Sequence, residues 1–460
     1  MNTYIGGRFW TDFITPLDYI LLPMYLMIVY AFAYNIRNKL YPRQHPWRKY
    51  FMPAFTAKII GGIFIGLVYQ YYYSGGDTSA YFYHGKVINQ SFDDSFITWL
   101  KLIFRTSAYY EADVYKYVDQ MRWYGDSSAY TVSAITAVVN IFTFNTFLPT
   151  TIIFSALSFT GYWALFRTFA VQYPKLKEPL AIAFLFIPSS IVWGSGIFKD
   201  TVCMTSLGWL TYFTFKLLIQ RKLKLSYIIP ILICVYLLAT VKLYILIVYI
   251  PALLLWVLFQ FSQKVKNAGA KLLIKIFALS GIVMGFLAFA NSFSKELGQY
   301  SLENIAETST TTREYLLYMS RESEGSGYDL GAIDPSPLGM LAKFPAAVNV
   351  ALFRPYLWEA NKPIIFFNAL EAALFIFFTL KVLFSIGLGG IINGIKRDPN
   401  IQFFLAFTIV FAFAVGISSY NFGSLSRYRI PCLNFFAASL VLLFYSKIPP
   451  GKSFFKLKLR

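Results

Sequence analysis

The sequence predicts an all-α polytopic membrane protein of about eleven transmembrane helices, with interfacial helices in a large outer loop. Three observations predict it. Of the 460 residues, 57% are hydrophobic and only 14% are charged, too few charges to solvate the surface of a soluble chain this long. The apolar residues fall in separate blocks of roughly 17–25, the length that crosses about 30 Å of hydrocarbon as a helix. The basic residues collect in alternate loops, as expected for loops that face the cytoplasm.

The expected spans, in order, are roughly 17–36, 54–73, 147–167, 179–196, 201–219, 226–240, 243–260, 271–291, 363–386, 401–418 and 430–446. The first follows a polar start and lacks a small-residue cleavage site, so it reads as a mature helix and not as a signal peptide. Segment 128–144 is apolar enough to span. Counting it would carry Arg221, Lys222 and Lys224 to the outer side, so it is read as a helix lying against the outer face. Phe96–Phe104 reads as a second interfacial helix.

The loops sort by charge. Arg37, Lys39, Arg43, Arg48 and Lys49 share one loop, and Arg221, Lys222 and Lys224 share another. Lys175, Lys177, Lys264, Lys266, Lys271, Lys396 and Arg397 fall in the same set of loops, as does the basic tail from Lys447 to Arg460. Glu178 and Asp398 are the acids among them. The positive-inside rule places this set in the cytoplasm, the N-terminus outside and the C-terminus inside. The net charge of +19 is then largely cytoplasmic decoration facing anionic headgroups, and no nucleic-acid partner is needed to explain it.

The chain is expected to form a single transmembrane domain over 1–460, with outer loops at 74–145 and 292–362 and no separate soluble domain. The second loop is polar and rich in Gly and Ser. It is expected to be mobile with short helices, and is a candidate lid. Cys203, Cys234 and Cys432 lie in or beside apolar segments without C-x-x-C spacing and read as small buried hydrophobes. His45 and His84 are the only histidines, which argues against a His-built zinc site. No metal ligand set is read from the sequence.

Four polar clusters interrupt the apolar pattern on the expected outer side. In SGGDTSAYFYHG, residues 74–85, paired glycines permit a sharp turn that presents Asp77, with His84 nearby. The plainer reading of Asp77 is a helix cap. In WGSGIFKDT, residues 193–201, Lys199 and Asp200 open a helix. A Lys there opposes the helix dipole, and a bound anion would resolve the conflict; the plainer reading pairs Lys199 with Asp200. In FGSLSRYRIP, residues 422–431, Arg427 and Arg429 flank Tyr428 in a pattern suited to phosphate, or to interfacial anchoring. In LFRPYLWEANKP, residues 352–363, Arg354 and Glu359 are the early charges, and Glu371 follows inside the next span, where an acid is a functional candidate by default. Lys242 adds a cation in the short hairpin TVKLY, and Asp126 is a further acid in the first outer loop. Carboxylates and cations facing one compartment suit a lipid-linked phosphate or diphosphate substrate: the cations hold the phosphate and a carboxylate activates an attacking hydroxyl.

SGGDTSAY and GSGIFKDT, together with the stretch 129–168 ending in ALFRTF and the terminal RYRIP, resemble elements of the GT-C superfamily of integral-membrane glycosyltransferases. The resemblance covers residues 50–220 and the last 40. The chain departs from it in three ways: a helix precedes the presumed first family helix, Asp77 is followed by Thr78 in place of a second acid, and no soluble domain follows the spans. The resemblance implies a polyprenyl-linked sugar donor, with Asp77 as general base of an inverting transfer and Asp200 as second catalytic candidate. Lys199, Arg427, Arg429, Lys242 and Arg354 would hold the donor phosphate. A divalent metal is compatible with that chemistry and is not required by it. An O-antigen or exopolysaccharide polymerase has the same parts. A transporter or flippase of a lipid-linked or anionic substrate, and a non-catalytic subunit of an envelope complex, are the readings from other classes.

Overall fold

A computed structural model of the chain describes residues 12–292, 327–331 and 336–449, with isolated positions 311, 314, 318, 334, 454 and 455. The regular structure among these residues is helical, and one isolated antiparallel bridge joins Gly327 to Asn421. Among the described residues, seven helices are long and apolar enough to cross a membrane, or eight if a pair bent by 65° counts as one span. Of the second outer loop, 292–362, where a lid was expected, residues 293–310, 312–313, 315–317, 319–326, 332–333 and 335 lie outside the described residues.

The helices are α1 (Pro16–Leu40), α2 (Arg48–Tyr71), α3 (Asp77–Asp94), α4 (Phe96–Phe104), α5 (Tyr115–Val118), α6 (Ser127–Ile141), α7 (Phe147–Ala170), α8 (Lys177–Leu185), α9 (Pro188–Val192) and α10 (Lys199–Thr214). They continue with α11 (Leu225–Ser262), α12 (Ala268–Ser292), α13 (Pro337–Ala342), α14 (Phe344–Phe353), α15 (Pro363–Arg397), α16 (Pro399–Ser418), α17 (Phe422–Tyr428) and α18 (Ile430–Tyr445). The chain packs as two compact units. The first holds Met1–Arg167, Ser190–Tyr212 and Ile228–Leu243; the second holds Thr168–Ser189, Phe213–Tyr227 and Tyr244–Arg460.

Four expected spans take a different form. The span at 179–196 is broken into α8 and α9, because Pro188 has no N–H to continue the ladder and disfavours helical backbone at Ile187. The spans at 226–240 and 243–260 run together as α11, interrupted at Lys242 (φ −149°, ψ 77°). A straight helix of that length would separate its ends by about 57 Å. Instead the Arg221 guanidinium lies 5.3 Å from the Phe261 ring centre, so the chain turns back at Lys242. In α15 the helix bends at Gly387 (φ 67°), so its last turns leave the line of the span.

In the first unit, α1, α2, α7 and α10 form a helical bundle with distinct ends. At one end Gln70 Oε1 accepts from Phe13 N and Ile14 N at 3.1 Å each. There too the buried Asp18 Oδ1 accepts from Leu148 N at 2.8 Å, serving the orphan amides that open α7. At the other end Trp163 Nε1 donates to Tyr41 OH at 2.7 Å, beside the basic loop of residues 41–49. Midway, α7 and α10 touch through backbone: a Cβ on Gly208 would lie 2.0 Å from Gly161 O, the close approach that small residues allow between membrane helices.

The Gln70 end carries a crown built from residues 72–145. Its own hydrophobic core joins α3, α4, α5 and α6 through Val87, Leu102, Val118, Tyr130 and Ala137. The segment expected to lie flat at 128–144 is α6, and it packs along α3 with Tyr130, Val132, Ala137 and Asn140 buried. α4 keeps the expected bounds. Ser95 caps it, accepting from Ile97 N at 3.2 Å. It buries Trp99 and Leu102 while exposing Phe96, Ile97 and Phe104, an amphipathic split suited to a membrane surface.

The second unit is centred on packed aromatics. Phe169 meets Phe404 edge to face at 4.6 Å, and Trp256 stacks on Phe403 at 5.0 Å. The carbonyls released where α8 ends are satisfied by a buried amide: Asn434 Nδ2 donates to Ala183 O at 3.0 Å and to Phe184 O at 3.2 Å. Broken helices at membrane depth need such internal partners.

Candidate functional site

Asp77 stands where the crown begins. Gly75 (φ 116°) and Gly76 (φ 139°) turn the chain out of α2. At Gly76 an added Cβ would lie 2.7 Å from the Tyr69 ring, so the turn requires glycine. Asp77 is the first residue of α3 and is not its cap. The terminus is closed by Ser79, whose Oγ accepts from Gly76 N at 3.0 Å. Asp77 is half-buried, at a helix N-terminus where the dipole favours negative charge.

Asp77, Asp126 and Lys242 are charged groups within electrostatic reach of the Lys199 ammonium. Five of the residues singled out from the sequence therefore gather in the first unit: Asp77, Asp126, Lys199, Asp200 and Lys242. They are not equivalent. Lys242 Nζ lies 2.5 Å from Asp200 Oδ1, with the side chains 8% and 1% exposed. Lys199 Nζ lies 3.4 Å from Asp126 Oδ2, with 21% and 47% exposed. Breaking a buried pair costs about 3–5 kcal/mol, whereas an exposed pair is worth about 0–1 kcal/mol. A ligand can thus take Lys199 from Asp126 but not Lys242 from Asp200. The plainer pairing of Lys199 with Asp200 is replaced by two separate pairs. Asp200 and Lys242 become structural, pinning the turn of α11; Ser128 Oγ donates to Val241 O at 2.6 Å beside it. Asp126 also caps α6, accepting from Ser128 N at 2.9 Å and Ala129 N at 3.3 Å.

His84 is buried in α3 with the edge of Trp123 at 5.6 Å, and neither ring nitrogen has a hydrogen-bond partner among the described residues. Burial pushes its pKa down to about 4. At neutral pH it is an uncharged core side chain and no proton donor.

The second unit gathers the other candidates. Arg429 is fully buried and donates from Nη1 to Arg354 O at 2.5 Å and to Ala351 O at 3.3 Å. Its Nη2 lies 3.7 Å from Glu371 Oε1. Glu371 Oε2 accepts from Ser189 N at 2.7 Å, at the first turn of α9. This pair braces a broken helix from within, which removes Arg429 and Glu371 from the solvent-facing set. Arg354 is paired with Glu359, donating from Nε to Oε2 at 3.0 Å, and its guanidinium lies over Tyr328 and Phe422. Glu359 also accepts from Tyr356 N at 2.7 Å. Arg427 is half-buried on α17 and interacts within the protein.

Two buried charged groups were missed from the sequence, Asp18, described above, and Lys58. Lys58, inside α2, is 2% exposed. Its Nζ donates to Ser190 O at 2.6 Å and to Gly194 O at 3.1 Å, and sits 3.4 Å over the Tyr162 ring. The signal was available: a lone Lys in an apolar span is rare and partnered. Among the described residues, no three His, Cys, Asp or Glu side chains gather closely enough to hold a metal ion. Compared with known proteins, the chain matches no family model, no curated protein and no solved structure.

Proposed function

We propose that this chain is an integral-membrane glycosyltransferase that moves a sugar from a polyprenyl-linked donor to an acceptor at the outer face of the cytoplasmic membrane. One observation carries the proposal: the half-buried Asp77, presented by a glycine turn at the rim of a helical bundle, lies within electrostatic reach of Lys199, a cation that pairs at 3.4 Å with the partly exposed Asp126. In the proposed reaction Asp77 takes the proton from the acceptor hydroxyl. The freed oxygen attacks the anomeric carbon, the bond from that carbon to the donor phosphate breaks, and Lys199 balances the charge left on the leaving phosphate. Arg427 is the secondary phosphate candidate. The residues α1, α2, α7, α8 with α9, α10, the two arms of α11, α12, α15, α16 and α18 supply the spans of this reading. The crown lies outside and the Arg221–Lys224 loop inside, as loop charge directs.

A second reading is a transporter or flippase of a lipid-linked anion. It is favoured by the break between α8 and α9 and by the buried cation Lys58 beside unwound backbone, features that transporters share. The test is turnover by the purified full chain in proteoliposomes containing a polyprenyl-phosphate sugar and a hydroxyl acceptor. Release of polyprenyl phosphate with acceptor glycosylation supports the transferase. Donor translocation without cleavage of the sugar–phosphate bond supports the transporter and overturns it.

A further inference from the structure

The second unit contains a cavity of about 640 Å³ at the end opposite the Arg429–Glu371 pair, where α15 and α18 finish and α16 starts. It is of ligand size, and the glycosyl-transfer proposal does not use it. Its floor is a fixed polar network. Asn400 Oδ1 accepts from Trp256 Nε1 at 2.7 Å and from Gln260 Nε2 at 3.2 Å. Asn400 Nδ2 donates to Tyr173 OH at 2.6 Å and to Gln172 Oε1 at 3.2 Å. Ordering these side chains costs nothing further when a ligand arrives, because they already hold one another.

The charges around the cavity are unequal in availability. Asp398 is spoken for: Oδ1 accepts from Asn400 N at 2.8 Å and Oδ2 from Tyr173 OH at 2.5 Å. Arg397 and Lys447 line the cavity and are exposed. Lys447 donates one proton, to Ile386 O at 3.2 Å, and an ammonium has three. Exposed Asn393 adds an amide to the lining; Gln263 also lines it, with Nε2 donating to Arg397 O at 3.4 Å and Oε1 accepting from Lys271 Nζ. Two cations beside the Asn393 amide match a ligand with one phosphate and hydroxyls: the guanidinium and ammonium take the phosphate, and Asn393, which both donates and accepts, takes a hydroxyl.

We infer that this cavity binds a phosphorylated polyol through Arg397 and Lys447. The phosphate and hydroxyls can come from an anionic phospholipid headgroup or from a soluble sugar or glycerol phosphate. The experiment uses the full chain in two arms. In one, nanodiscs of phosphatidylcholine contain a minor fraction of phosphatidylglycerol, and retained lipid is counted by native mass spectrometry. In the other, the detergent-solubilised chain is titrated with glycerol 3-phosphate by calorimetry. Each arm compares wild type with Arg397→Ala/Lys447→Ala, with Asn393→Ala, and with Lys222→Ala/Lys224→Ala as a control for diffuse basic charge. Binding in either arm that falls roughly 10- to 100-fold in the Arg397/Lys447 variant, and less in the control, supports the site. The arm that binds names the source, and a drop in Asn393→Ala supports the hydroxyl contacts. No binding in either arm, or equal loss in the control and cavity variants, overturns it.

Discussion

Lys242 and Asp200, forty-two residues apart, form a sealed ion pair at the point where the chain turns back on itself, with Nζ 2.5 Å from Oδ1. The pair explains how a Lys is tolerated at a break in an otherwise apolar helix. It also ties the two residues to the architecture, and the proposed transfer assigns the phosphate to Lys199.

Removing one partner of this pair should therefore be worse than removing both. Asp200→Asn or Lys242→Met alone is expected to cost about 3–5 kcal/mol, and the double variant much less. Thermal unfolding of the four proteins in one detergent checks this. Additive single effects would show that the pair is not coupled.

Lys58→Met should destabilise the first unit by leaving the Ser190 and Gly194 carbonyls without their charged donor. Each such bond is worth about 1.5–3 kcal/mol. The expected readout is a lowered unfolding temperature with faster proteolysis near residues 193–198. An unchanged melting curve would contradict the assignment.

His84 makes the stability of the crown depend on pH. Its folded pKa is lowered from 6.5 to about 4 by burial, so the unfolded chain binds the proton first as pH falls. Its contribution is fully present above pH 6.5 and is lost progressively down to about pH 4, up to about 3 kcal/mol. Denaturation between pH 7 and 4.5 should show a loss in wild type that His84→Phe reduces. Equal loss in both proteins would remove His84 as the cause.

Side-specific labelling tests the orientation. All three native cysteines are buried, so background should be low. Tyr110, in the crown, is 82% exposed, and Lys222 lies in an exposed basic loop. An impermeant maleimide on intact cells should label Tyr110→Cys and spare Lys222→Cys. The reverse pattern would invert the topology.

Much of this arrangement was legible in the chain. The amphipathic run Phe96–Phe104 marked α4, and the glycines before Asp77 announced a turn. Charge at a helix start pointed to Lys199 and Asp200, and Asp126 stood out as a further acid in the first outer loop. What stayed hidden was pairing over distance. Lys58 bonds backbone carbonyls 132 and 136 residues away, and any residue type can supply a carbonyl. Arg429 looked like an exposed phosphate ligand because its partners, Glu371 and two carbonyls, come from other helices. The break at Pro188 was readable, but not the Asn434 amide that makes it tolerable.

The most direct measurement is sugar transfer by the Asp77→Asn protein, with Asp77→Ala beside it, from a polyprenyl-linked donor. Because Ser79 and not Asp77 closes the helix terminus, both variants should fold and melt close to wild type. With the general base removed, transfer should fall by roughly 10²–10⁴-fold in each while donor binding persists. Full transfer activity in a folded Asp77→Asn protein would contradict the account.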